Sequence, residues 1–224
     1  MEKIISKLLP KKLKNRVVTK ILQQAKQDRA NQDAAIPKIE LEPKHIANLQ
    51  VLIDRTILLE KLPKGGRVAE IGVDTGGFSQ KIMEICTPEK LHLVDAWDTP
   101  RYGEDKAQGV IKKFEAESKE GRVQLHRGYS TDRAADFEEA YFDWIYIDTD
   151  HRYTTTKAEL ELYAPKMKSG GIMAGHDFST GNWITTYRYG VREAVHEFCV
   201  NQGWEMLYLT MEIGDNPSFA IRKL

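Results

Sequence analysis

The stretch Arg67-Val68-Ala69-Glu70-Ile71-Gly72-Val73-Asp74-Thr75-Gly76-Gly77-Phe78-Ser79 constrains the fold more than any other part of the chain. Its apolar run reads as a buried strand that breaks at Gly72 into a glycine turn and then opens a helix. Glycine lets the backbone bend sharply and approach a ligand with no Cβ in the way. The helix start adds unpaired N–H groups and a positive dipole end. Together they predict a nucleoside-cofactor site at the strand-to-helix turn.

The charges around this turn bear on which cofactor. A pyrophosphate site wants G-x-G-x-x-G, so that the phosphates touch backbone at the second glycine. Asp74 occupies that slot and Glu70 lies two residues before Gly72. Carboxylates there repel a diphosphate and attract an ammonium or sulfonium, which favours S-adenosylmethionine (SAM) over NAD. The expected cofactor contacts in this turn are Glu70, Gly72, Val73, Asp74, Thr75, Gly76, Phe78 and Ser79.

Further strands follow at regular spacing. Lys90 to Asp95 is apolar and ends in an acid about 20 residues past the turn, as expected for a group that binds ribose hydroxyls, with Ala96 beside it. Arg122 to Ser130 reads as a third strand whose exit places Tyr129 and Ser130 against an adenine. Phe142 to Asp148 is a fourth and Gly170 to Asp177 a fifth. Helical patterns run over Phe78–Cys86, Lys106–Ser118, Thr131–Ala140, Tyr153–Met167 and Gly190–Asn201. Such alternation predicts an α/β fold, a Rossmann-like doubly wound and mainly parallel sheet with the ligand at the carboxyl ends of its strands. Trp204–Thr210 and Ser218–Lys223 read as an antiparallel hairpin closing the sheet edge, and His45–Leu62 as a covering helix.

Composition fits one well-buried core: 224 residues, 41% of them hydrophobic. The formal net charge is zero, so nothing recommends a nucleic-acid substrate. Cys86 and Cys199 read as buried, reduced thiols, and no apolar run approaches the ~18 residues of a membrane span. A cytoplasmic protein is expected. The zero balance conceals an asymmetry, because residues 1–30 carry a net charge of +7. Leu13, Val17, Val18, Ile21 and Leu22 recur there at helical spacing among lysines. This basic amphipathic arm is read either as a peripheral contact with the inner membrane face or as an arm packing on its own domain or on a second subunit of a homo-oligomer. A polar linker over 31–43, with Pro37 and Pro43, separates the arm from the domain at 44–224.

The segments EIGVDTGGFS, LVDAW, FDWIYIDTDH, APKMKSGGIMAGHDF and GVREAVHEF resemble those of the class I SAM-dependent methyltransferases, over roughly Arg67 to Leu224. The Asp-x-x-His after the fourth strand is similar to that of the branch acting on small molecules, including sugar and natural-product O-methyltransferases. Asp74 replaces the middle glycine of the superfamily's commoner E-x-G-x-G-x-G turn, and His176-Asp177 stands where metal-dependent relatives usually carry two acidic or amide residues.

The resemblance implies the strand order 3-2-1-4-5, which sets Asp148 beside His176-Asp177. It implies that Asp148 and Asp177, with His176 as third ligand, hold a divalent cation (Mg²⁺ or Mn²⁺), and that His151 is the general base. Asp148 counts both as a catalytic and as a cofactor-binding residue. Two aromatic loops, Trp97–Glu104 with Arg101 and Tyr102, and Trp183–Tyr189 with Tyr187 and Arg188, suit a small-molecule acceptor. The expectation is therefore methyl transfer from SAM to a small-molecule hydroxyl. An NAD-dependent dehydrogenase or epimerase and a non-catalytic binding protein on the same fold are the alternatives.

Overall fold

The computed structural model describes residues 11–182 and 187–224, with side chains from residue 15 onward. Residues 1–10 of the basic arm and 183–186 of the second aromatic loop lie outside the described residues. The chain divides into two units, Met1–Pro37 and Lys38–Leu224. In the first, one helix, α1 (Lys11–Ala35), runs through 31–35, a stretch with linker-like composition. Ala30, Ala34 and Ala35 favour helix, and no glycine or proline interrupts before Pro37.

The second unit is built on strands β1 (Gln50–Leu52), β2 (Arg67–Ile71), β3 (Lys90–Asp95), β4 (Val123–Arg127), β5 (Phe142–Ile147) and β6 (Met167–Gly175). A small pair follows, β7 (Gly181–Asn182) with β8 (Tyr187–Arg188), and then β9 (Trp204–Thr210) and β10 (Phe219–Lys223). The large sheet has the order β1-β9-β10-β6-β5-β2-β3-β4. Its β4-β3-β2-β5-β6 portion is parallel throughout and reproduces the expected 3-2-1-4-5. Strand β10 runs antiparallel to both β6 and β9, which gives the expected C-terminal hairpin.

The sheet edge differs from expectation. Strand β1 pairs in parallel with β9, so the hairpin lies inside the sheet rather than closing it. The stretch His45–Leu62 is not one helix but a 3₁₀ turn (Pro43–Ile46), β1, and the helix α2 (Arg55–Lys61). Asp54 accounts for the break, since its carboxylate accepts from the amides of Thr56 (2.8 Å) and Ile57 (2.9 Å) and caps α2 there. The remaining helices are α3 (Gly77–Cys86), α4 (Glu104–Lys113), α5 (Glu115–Lys119), α6 (Ser130–Arg133), α7 (Tyr153–Tyr163) and α8 (Val191–Gln202). The single helices expected over Lys106–Ser118 and Thr131–Ala140 are thus shorter. The first breaks at Phe114, which caps α4 and buries its ring, and the second passes into a 3₁₀ turn at Ala134–Asp136 before Phe137 turns inward.

Strand β5 shows how both faces are filled. Phe142, Ile145 and Ile147 pack with Leu160, Met173 and Phe198 on one face, whereas Trp144 and Tyr146 pack with Leu58, Ile82 and Leu91 on the other. From Trp144 to Ile147 alternate side chains point to opposite faces, which explains why that stretch is all apolar in sequence, and a register shift between Phe142 and Trp144 sets Phe142 on the face of Ile145. Just beyond the strands, backbone bonds keep the ends level: Gly72 N to Val94 O (2.8 Å), Asp148 N to Ile71 O (2.7 Å) and His176 N to Ile147 O (2.9 Å). The polar residues after each strand therefore gather on one rim. Cys86 and Cys199 are free and buried, as expected.

Candidate active site

A cavity of ≈ 780 Å³ opens at that rim, over the carboxyl ends of β2, β3 and β5. Its floor is the glycine turn. Gly72 has φ 92°, and a Cβ there would lie 1.9 Å from the carbonyl oxygen of Asp148, so only glycine lets the exits of β2 and β5 pass this closely. Asp74 also adopts the left-handed region, at φ 53°, which aspartate tolerates better than most residues. Asp95 splints the turn: one carboxylate oxygen accepts from the amides of Val73 (2.8 Å) and Asp74 (3.0 Å), the other from Trp97 (2.9 Å). A carboxylate has about four lone-pair sites, so Asp95 keeps capacity for a ribose hydroxyl.

Glu70 and Asp74 do not act as two free anions. Asp74 forms an ion pair with Lys106. Glu70 is buried and accepts from the Ser79 hydroxyl, and burial pushes its pKa well above the usual carboxylate range against the lowering effect of that bond. The negative character belongs to the rest of the wall, where four further acids (Asp95, Asp98, Asp148, Asp150) face three fixed cations (Arg55, Lys81, Arg101). Val73, Thr75, Phe78, Ala96 and Tyr129 line the cavity. Gly76 and Ser79 stand off it: a Cβ on Gly76 would meet Phe114, and the Ser79 hydroxyl is spent on Glu70. Ser130 lines the cavity, with its hydroxyl donating to Glu159 (2.5 Å).

At one end the expected catalytic residues converge. His151 Nδ1 lies 3.0 Å from Asp177 Oδ2, and His176 Nδ1 lies 3.7 Å from Asp148 Oδ2 and 3.6 Å from Asp177 Oδ2. Asp148 and His151 line the cavity, while His176 and Asp177 are buried behind them. One ligand atom each from Asp148, His151 and Asp177 falls within 4.8 Å of the others. His151 (φ 61°) and Asp177 (φ 56°) both occupy the left-handed region, a strain that concentrates at functional sites. Burial opposes the charged form of His151, but the hydrogen bond to Asp177 and the charges of Asp177 and Asp148 outweigh it and raise its pKa. Burial works against the Asp177 anion too, yet hydrogen bonds from His151 and His176 hold its pKa well below the usual range. Burial raises the pKa of Asp148, opposed by the charges of His176 and His151.

Residues 69–178 match the family described as a methyltransferase domain. They form a class I SAM-dependent methyltransferase domain. Solved structures share its fold at low identity. A putative rRNA methylase from Clostridium thermocellum is 14% identical with a TM-score of 0.57, covering 76% of this chain and 93% of its own. A putative caffeoyl-CoA O-methyltransferase from Staphylococcus aureus is 14% identical with a TM-score of 0.54, over 94% and 99%. A geranyl diphosphate methyltransferase in complex with SAM is 9% identical with a TM-score of 0.56, over 76% and 84%. No curated protein sequence matches the chain.

Several residues of this methyltransferase site carry no motif in sequence. Arg55 lies over the Phe78 ring (5.1 Å), 3.3 Å from Asp215 and 4.0 Å from Asp148. Asn216 donates to Asp177 Oδ1 (2.6 Å), and Tyr189 packs on the His151 ring (4.8 Å between centroids). Glu159, fully buried, accepts from Ser130 and from Thr149 (3.0 Å), tying together the loops after β4 and β5. Arg55, Tyr189 and Asn216 reach the site from distant parts of the chain. Tyr189 ends the aromatic loop Trp183–Tyr189 and Asn216 belongs to the Gly214-Asp215-Asn216-Pro217 connection of the hairpin, whereas Arg55 and Glu159 carry no signal.

Proposed function

We propose that this methyltransferase transfers the methyl group of SAM to a hydroxyl of a small molecule, with His151 as general base. The observation that carries the reading is the His151–Asp177 pair, 3.0 Å apart, beside Asp148 at the edge of an acidic cavity. With Nδ1–H donating to Asp177, His151 presents Nε2 as the nitrogen able to take a proton. As the acceptor oxygen attacks the methyl carbon in line, the O–C bond forms and the C–S bond breaks. The sulfur keeps the electron pair, and the hydroxyl proton passes to Nε2. Asp177 stabilises the imidazolium as it forms, in the manner of an orienting carboxylate. Holding the acceptor at attack distance supplies further acceleration.

The acidic wall supports a cationic nucleoside as cofactor and disfavours both a diphosphate and a nucleic-acid backbone at this mouth. A divalent cation suits the same cluster, since two carboxylates and an imidazole within 4.8 Å fit Mn²⁺ better than Mg²⁺, which prefers oxygen alone. Asp148, His151 and Asp177 would hold it, with His176 supporting them from behind, and it would lower the pKa of the acceptor hydroxyl. Turnover with a panel of hydroxylated acceptors, before and after chelation, separates the two readings. Full activity in chelator assigns the proton to His151, and activity restored only by added Mn²⁺ assigns the cluster to metal. Absence of methyl transfer to any hydroxyl, with transfer to a nitrogen acceptor, would overturn the proposal.

A further inference from the structure

Helix α1 carries an apolar strip bordered by cations, and the reaction makes no use of it. Val17, Val18, Ile21 and Leu22 are 44, 54, 61 and 62% exposed. At about 3.6 residues per turn, positions 17 and 21 and positions 18 and 22 stack along one side of the helix, and Ala25 continues the strip. Arg16 and Lys20 follow its near border, Lys26 lies on its far one and Arg29 ends it one turn beyond Ala25, and all four are exposed. Over Lys11–Ala35 there are seven lysines and arginines against Asp28 and Asp33.

Three kinds of surface could meet such a helix, and its pattern separates them. A coiled coil between two copies needs apolar positions sustained over about three to four heptads. The strip ends at Ala25, and pairing would also bring together two segments of net charge +5. A nucleic acid would engage the cations but leave the apolar strip in water. An anionic lipid surface uses both, because the apolar side chains enter the boundary between headgroups and acyl chains while the long cationic side chains reach the phosphates. No helix among the described residues is long and apolar enough to cross a membrane, so the mode is lying on the surface rather than spanning it. We propose that α1 docks this protein on an anionic lipid bilayer, in the plane of the interface. The inference is independent of the reaction assigned to the cavity.

The test is co-sedimentation of the full-length protein with vesicles of phosphatidylcholine alone and of phosphatidylcholine mixed with phosphatidylglycerol, at low and high salt. Pelleting with the anionic vesicles, weakened by salt and absent with the neutral ones, is the expected result. Two variants should each lower the partition coefficient by roughly tenfold or more: R16E/K20E, which reverses charge, and I21S/L22S, which removes apolar surface. Thermal unfolding of the Lys38–Leu224 unit serves as the folding control for both. Equal pelleting with both vesicle types, no pelleting with either, or variants that bind as the parent does would overturn the proposal. So would a vesicle-free dimer, seen by light scattering, that I21S/L22S dissolves.

Discussion

At the scale of single residues, the site rests on two kinds of constraint, chemical at His151 and steric at Gly72. Replacing His151 with alanine removes the proton acceptor without touching the glycine turn. Turnover should fall by about a hundred- to ten-thousandfold while calorimetric affinity for SAM changes little. An unchanged turnover would remove His151 from the mechanism. Gly72→Ala acts through the backbone. Its new Cβ would sit 1.9 Å from the Asp148 carbonyl at φ 92°, so the exits of β2 and β5 must separate. The left-handed conformation alone costs about 1–3 kcal/mol, and the forced separation adds to it. The expected outcome is a lower Tm together with loss of SAM binding, read by thermal unfolding with and without SAM. Both residues are legible in sequence, Gly72 as a strand terminator and His151 as part of an Asp-x-x-His. Arg55 and Asp215 are not, because what makes them site residues is a meeting 160 positions apart in the chain.

At the scale of elements, the parallel strands β2, β3, β5 and β6 are legible because burial on both faces writes them as mainly apolar runs, whereas β4, at the sheet edge, shows only the alternation of Val123 and Leu125 with polar residues. Strand β1 is not, since three residues leave too little pattern, and only its parallel pairing with β9 makes it a strand. Glu159 shows the same limit inside a helix. It looks like an ordinary polar position of α7, yet it is fully buried and joins the loops after β4 and β5 through Ser130 and Thr149. Burial, opposed by those two hydrogen bonds, raises its pKa from 4.5 to about 7. The folded state therefore holds this proton more tightly than the unfolded state. The resulting stability is complete below pH 4.5 and is lost as the pH rises through about 7, a span of about 3 kcal/mol. Glu159→Gln cannot ionise, so its Tm should fall less than that of the parent between about pH 5 and about pH 8. Equal pH dependence in the two proteins would show that Glu159 is ionised without cost. Strands β3 and β4 carry the opposite case. His92 bonds to His126 (2.9 Å) and to Tyr141 (3.0 Å), and burial, reinforced by the charge of His126, lowers its pKa to about 3. Its contribution is complete above pH 6.5 and is lost as the pH falls toward about 3. In acid-unfolding titrations, His92→Phe should therefore weaken the dependence on pH in that window.

At the scale of the whole molecule, every residue lining the cavity belongs to the Lys38–Leu224 unit, which carries its own core. A chain beginning at Lys38 should bind SAM as the full chain does, measured by calorimetry, while losing the vesicle binding assigned to α1. The property that governs the cavity is also collective. Neither Glu70, buried and inclined to keep its proton, nor Asp74, paired with Lys106, supplies the field; the four other wall acids, Asp95, Asp98, Asp148 and Asp150, against three fixed cations do. Selection of a cationic nucleoside by this wall is the claim on which cofactor, reaction and base assignment all depend. Titration of SAM and of NAD into the purified protein in one calorimeter tests it most directly. Saturable heat with SAM and none with NAD is the predicted result, and binding of NAD, or of neither, would contradict it.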